Sequence, residues 1–337
     1  MVGDRRFIWG ELWSRTARFG EWLTSLDLGL RSDPATTIGW RSPHDHVALM
    51  MRNGSPYLES MVGAFAARCA PVNVNYRYRD AELSHVLTDS ASRVAVVDGE
   101  FAERVAAIRD ELPKLQTVIR VGATDAPAVE ALDFETLATT APDNRPDVHI
   151  DEHDEAYVLF TSGSTGEPKG VVNSHFTWSY YSISAGLEIG DIRFGEVFAH
   201  GAPLTHFSQI FVMPTFVRGG TNVMLPGLDV ETLLNNIERH RVTATAVVPT
   251  IIYLLLDDRR RADYDIDSLL KEYKREVLRY LHGERADYPP LVQHYFPEAA
   301  QTLLYEYKNR VFQLQDHGRT PDGSHHDIRL RAQSRQV

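Results

Sequence analysis

Apolar and polar positions along the chain alternate between a strand-like and a helix-like period. The compact apolar run "HVALMMRN", His46 to Asn53, reads as a buried strand, and "SPYLESMVGAFAAR" after it repeats apolar residues at helical spacing. Ser55 is expected as the N-cap of that helix, with Pro56 at its first position. The same alternation runs on through "APVNVNY", "DAELSHVLTDS", "SRVAVVD", "FAERVAAIRDEL" and "QTVIRVG". Residues 123–155 are polar and rich in Asp, Ala and Pro, which predicts a connector. Regular patterning returns with a helix in "SHFTWSYYSISAGLEI", a strand in "EVFAHGAPL" and a helical run to Val217. A strand in "TNVMLP", a helix in "DVETLLNNIERH" and a strand in "VTATAVVPT" complete the pattern. Such alternation predicts an α/β fold, an open and mostly parallel sheet with covering helices.

Beyond Leu269 the pattern changes. Leu269, Leu270, Tyr273, Val277, Tyr280 and Leu281 recur at near-helical spacing, as do Leu303, Leu304, Tyr307, Val311 and Leu314, with Pro289 and Pro290 between the two stripes. Residues 270–316 are therefore predicted as a helical segment that packs on the preceding domain or mediates self-association. Residues 317–337 are polar, with Arg319, Arg329, Arg331 and Arg335, and are predicted to be a disordered terminus. His317, His325, His326 and Asp327 sit in that terminus without the spacing of a closed site, so no metal ligand is assigned.

Composition narrows the function classes. With 337 residues, 43% hydrophobic and 24% charged, the chain has the make-up of a globular protein with more than one subdomain. A net charge of −11 argues against nucleic acid as partner. The single cysteine, Cys69, excludes an internal disulfide framework and is read as a core residue. No secretory leader pattern and no membrane-length apolar run are present, so the cytoplasm is the expected location.

Candidate chemistry concentrates in "YVLFTSGSTGEPKGVV", Tyr157 to Val172, where a strand-like run breaks into small and hydroxylated residues. Gly163, Gly166 and Gly170 allow backbone N–H groups to turn toward a ligand. Ser162, Ser164 and Thr165 add hydroxyls, and Lys169 adds a cation. That donor set suits a polyphosphate. It is neither the Walker loop, since Lys169 precedes Gly170 and Val171, nor a Gly-x-Gly-x-x-Gly turn. The plain alternative is a flexible surface hairpin without a ligand.

"TSGSTGEPKG" resembles the signature of the adenylate-forming (AMP-binding) superfamily, which includes acyl-CoA synthetases, luciferases and peptide-synthetase adenylation domains. The run from Asn53 to Asp98, the "APLTHFSQ" segment and "VTATAVVPTIIYLLL" extend the resemblance in the same order over about residues 7 to 269, closest to bacterial fatty-acyl and medium-chain acyl-CoA synthetases. The resemblance implies an ATP-dependent ligase that joins a carboxylic acid, fatty or otherwise apolar, to coenzyme A through an acyl-adenylate, with Mg2+ as the metal. It further implies that Thr161, Ser162, Gly163, Ser164, Thr165, Gly166 and Lys169 hold the phosphates. His206, in "APLTHFSQ", would lie between the nucleotide and acyl pockets. Phe207, Phe211, Val247 and Ile251 are candidates for an acyl tunnel, with an ordinary core role as their simpler reading.

The match is expected to cover a partial adenylation domain at residues 1–269. The family's adenine-side segment, its glutamate and ribose segments and its terminal lysine domain are not found after Leu269. Two functions stay open: an AMP-forming acid–thiol ligase, and a nucleotide- or acyl-binding remnant or subunit that needs a partner for activity.

Overall fold

The computed structural model describes residues 5–269 except 35, 38–40, 124–130, 162–166, 189–194, 226, 247–250, 252–253, 256–257, 259 and 261–262, with backbone only at 186–188 and 207. The expectations for residues 270–316 and 317–337 lie outside the described residues.

The elements in chain order are α1 (Trp9–Ser25), β1 (His46–Met50), α2 (Ser55–Ala66), β2 (Ala70–Asn73), α3 (Asp80–Asp89) and β3 (Val94–Asp98). Then come α4 (Ala102–Ala107), β4 (Thr117–Val121), β5 (Leu132–Asp133), α5 (Phe134–Thr140), β6 (Glu155–Thr161) and β7 (Lys169–Ser174). The chain continues with α6 (His175–Glu188), β8 (Val197–His200), α7 (Val212–Val217), β9 (Thr221–Met224), α8 (Val230–His240) and β10 (Ala244–Thr245).

Seven strands form one sheet in the order β5-β4-β3-β1-β2-β6-β7, and β10-β8-β9 form a second. Every pairing is parallel except β6 with β7. The central strands are apolar on both faces because helices cover both. Val47 and Leu49 of β1 pack with Phe19 and Leu23 of α1, while Ala48 and Met50, one residue out of phase, pack with Leu83, Val86 and Leu87 of α3. Cys69 belongs to the first of these cores, and burial pushes its thiol up to about 12.

Two local readings change, and one helix is added. Gly54, in extended conformation, is the N-cap of α2, so Ser55 already has a helical backbone. Its hydroxyl meets the Glu59 carboxylate instead of an amide of the first turn. The 123–155 stretch contains β5 and α5 as well as connector. Only Phe134 and Ala138 of α5 are buried, four residues apart, and Asp133 caps it by accepting from the Thr136 amide at 2.8 Å. α1 lacks a continuous apolar stripe because its inner face includes a charge. Arg15 is buried and donates to Glu59 at 2.8 Å and to Glu135 at 2.8 Å. Burial raises the Glu59 carboxyl pKa even with Arg15 against it.

At their C-terminal ends the two sheets are joined by hydrogen bonds that centre on one side chain. Asn53, just past β1, donates from Nδ2 to the carbonyls of His200 (2.9 Å) and Ala202 (2.8 Å), and its Oδ1 accepts from the Leu204 amide at 2.8 Å. Behind it His200, fully buried, contacts Ser208 Oγ through Nδ1 (2.9 Å) and Asn222 Oδ1 through Nε2 (2.6 Å). Burial lowers the His200 pKa from 6.5 to about 4, so the ring is neutral near pH 7.

Asn53→Ala strands one amide and two carbonyls and is expected to cost about 1–3 kcal/mol in denaturant unfolding. His200 sets a pH dependence of known sign. Its pKa is lower folded than unfolded, so acid protonates the unfolded chain first and stability falls as pH drops from 6.5 toward about 4, by about 3 kcal/mol in total. His200→Gln should flatten that slope, and a wild-type denaturation midpoint that stays constant over the same interval contradicts the assignment.

Candidate functional site

The site begins where the parallel order ends. β6 runs outward beside β2, and β7 returns antiparallel as the edge strand, with Thr161 opposite Lys169 and Phe160 opposite Gly170. Residues 162–168 form the connection, and its Ser162, Gly163, Ser164, Thr165 and Gly166 lie outside the described residues. Thr161 and Lys169 are both exposed at the mouth of the hairpin, and among the described residues Lys169 has no carboxylate partner. A hydroxyl donor and an ammonium with no carboxylate partner among the described residues, held one strand apart, fit an anionic ligand.

Gly170 also serves packing. A Cβ there would lie 3.0 Å from Val158 Cγ1 and 3.2 Å from Phe160 Cζ, so the missing side chain lets β7 close over the phenyl ring. Pro168 is buried, and its carbonyl accepts from His85 Nε2 at 2.8 Å.

His206 stands on a different segment, between β8 and a short 3-10 turn at Phe207–Phe211. The segment is fixed from below. Asn53 holds the Leu204 amide, and Tyr57, buried in α2, donates to Asn73 Oδ1 (2.6 Å) with the Leu204 carbonyl 3.2 Å from its hydroxyl. The imidazole is exposed, with Nδ1 2.9 Å from the hydroxyl of buried Thr205, and partial desolvation lowers its pKa. Of the apolar candidates, Phe211 is buried and stacks on Phe198 at 5.1 Å between ring centroids, and Ile251 packs on the core of the second sheet. Both pack against core residues. The Phe207 side chain and Val247 lie outside the described residues.

The structure thus pairs Thr161 with Lys169 and puts His206 on a separately braced segment. Asn53, Tyr57, His85 and His200 were not identifiable from sequence, because their partners are backbone carbonyls or side chains far along the chain. Among the described residues no group of three or more His, Cys, Asp or Glu side chains could hold a metal ion. No helix among them is long and apolar enough to cross a membrane.

Comparison with known proteins bears on the family and the fold. The family model for AMP-binding enzymes matches residues 1–284, past Leu269. The chain is 32% identical over 272 residues to the medium-chain acyl-CoA ligase Mig of Mycobacterium avium, a match covering 73% of this chain and 48% of that one. It is 31% identical over 231 residues to a feruloyl-CoA synthase of Amycolatopsis sp, covering 67% and 43%. Among solved structures, the fold superposes on the anthranilate CoA ligase AuaEII in complex with anthranoyl-AMP with a TM-score of 0.71 at 21% identity, covering 80% of this chain and 50% of that one. A Mycobacterium tuberculosis fatty acyl CoA synthetase gives a TM-score of 0.65 at 24% identity, covering 79% and 48%. The matches span about half the length of these relatives or less. A signature hairpin at the edge of a parallel sheet, a family-wide match and this shared fold have one reading: the chain belongs to the AMP-binding enzyme family.

Proposed function

We propose that the chain supplies the phosphate-binding and acyl-facing part of an AMP-forming acid–thiol ligase. The observation that carries this reading is the cross-strand pair Thr161–Lys169, which brackets "SGSTGEP" with a hydroxyl and a cation that has no carboxylate partner among the described residues. In the proposed reaction a carboxylate oxygen attacks the α-phosphorus of ATP and pyrophosphate leaves. A thiolate, from coenzyme A, then displaces AMP and forms the thioester. Negative charge grows on the departing pyrophosphate, and a fixed ammonium with backbone and hydroxyl donors stabilises it without reorganisation. Lys169 and residues 161–166 have that role, and Mg2+ enters with the phosphates of ATP. His206, oriented by Thr205, is the candidate group on the acyl side.

The names of the relatives support a carboxylic acid substrate joined to coenzyme A, and we propose an apolar acid of the fatty class. A cytoplasmic location and self-association of the chain belong to the same proposal. Sedimentation over a range of concentrations reads the latter.

Isothermal calorimetry of the full chain with ATP and Mg2+ tests the site. Lys169→Ala should weaken binding by about 1–3 kcal/mol, the range for a hydrogen bond to a charged group. Equal affinity in the variant removes Lys169 from the site. His206→Ala should leave that affinity unchanged and lower the rate of acid-dependent ATP–pyrophosphate exchange. ATP binding with no exchange from any fatty acid would favour the reading of a nucleotide-binding subunit over a competent ligase.

A further inference from the structure

The hairpin carries Lys169 on an edge strand, and an edge strand has a neighbour on one side only. The β6–β7 ladder ends at the pair Thr161–Lys169, so the Pro168 carbonyl lies beyond the last pair. Pro168 has no N–H, is buried, and shares a planar peptide with the Lys169 nitrogen. An unsatisfied buried carbonyl would cost free energy and favour turning that peptide toward another partner, which shifts the origin of the Lys169 side chain. What satisfies it is His85 Nε2, 2.8 Å away. Because a carbonyl can only accept, the ring nitrogen facing it carries the proton.

His85 is well placed for this task. α3 buries Leu83, Val86 and Leu87 in the core that includes Val158 and Phe160 of β6, and His85 is half-buried beside them. The helix is therefore fixed to one arm of the hairpin by apolar packing and to the other by His85. Tyr78, two residues before α3, brings its hydroxyl to 3.5 Å from the Phe160 carbonyl, next to Thr161.

We propose that His85 is a positioning residue that acts through the Pro168–Lys169 peptide to aim Lys169 at a bound polyphosphate. The phosphate part of this inference rests on the function proposed above. The positioning part rests on the hydrogen bond alone.

The test is a double-mutant cycle on the full chain with tripolyphosphate as the probe, because it needs no adenine site. His85→Leu should weaken tripolyphosphate binding about 3- to 10-fold, as loss of one positioning hydrogen bond predicts. His85→Gln, which keeps a donor, should recover most of the loss. In the Lys169→Ala background, His85→Leu should have no further effect, since its action passes through Lys169. Wild-type affinity in His85→Leu, or a loss that adds in full to that of Lys169→Ala, overturns the inference. His85→Asn, polar but too short to reach Pro168, should match the leucine variant and replaces it should that variant not fold.

Amide hydrogen exchange separates this inference from the functional reading. With no ligand present, His85→Leu or His85→Asn should speed amide exchange at Glu167, Lys169 and Gly170 and leave that of β1 unchanged. Absence of tripolyphosphate binding in the wild type would defeat the phosphate reading, and unchanged exchange at those three residues would defeat the role of His85 whatever the ligand.

Discussion

Asn53 is the residue on which the arrangement of the site depends. A primary amide can donate twice and accept, and here it spans the gap between the ends of two sheets, with three bonds of 2.8–2.9 Å to the backbone of residues 200–204. Apolar packing alone would let the sheets slide, since burial has no direction. Directional bonds to a main chain fix the register. The segment that carries His206 is set by a residue at the end of β1, more than a hundred positions earlier in the chain.

The placement follows a general property of α/β sheets, whose strands deliver functional loops at their C-terminal ends. β1 ends at Met50, three residues before Asn53, β6 ends at Thr161, and β8 ends at His200, where the segment leading to His206 begins. Among the described strands only β7 pairs antiparallel, and the reversal puts a lysine opposite the last residue of β6. A parallel strand in its place would need a crossover connection and could not return Lys169 so soon. The tight antiparallel return also explains Gly170, since a side chain there would press on Phe160.

Much of this was legible in the sequence, for identifiable reasons. The parallel core was readable because strands covered on both faces become continuous apolar runs such as "VAVVD", and α8 because Asp229 caps a strongly amphipathic helix. The hairpin that carries the proposed phosphate-side residues was readable because an apolar strand run breaks into small and hydroxylated residues and then resumes as a second strand. α1 was illegible because Arg15 interrupts its inner face, and nothing local shows that Glu59 and Glu135 will meet that charge. α5 was illegible because two buried residues leave too weak a period. The bracing by Asn53 and His85 could not be read, since a hydrogen bond to a distant carbonyl leaves no mark in composition or spacing.

The central claim is that the β6–β7 hairpin binds the phosphates of a nucleotide. Backbone amide chemical shifts of the full chain, followed during titration with ATP and Mg2+, test it most directly. The account predicts the largest changes at residues 161–170, with smaller ones along 203–206. Saturable shifts confined to other parts of the chain, with residues 161–170 unmoved, would contradict it.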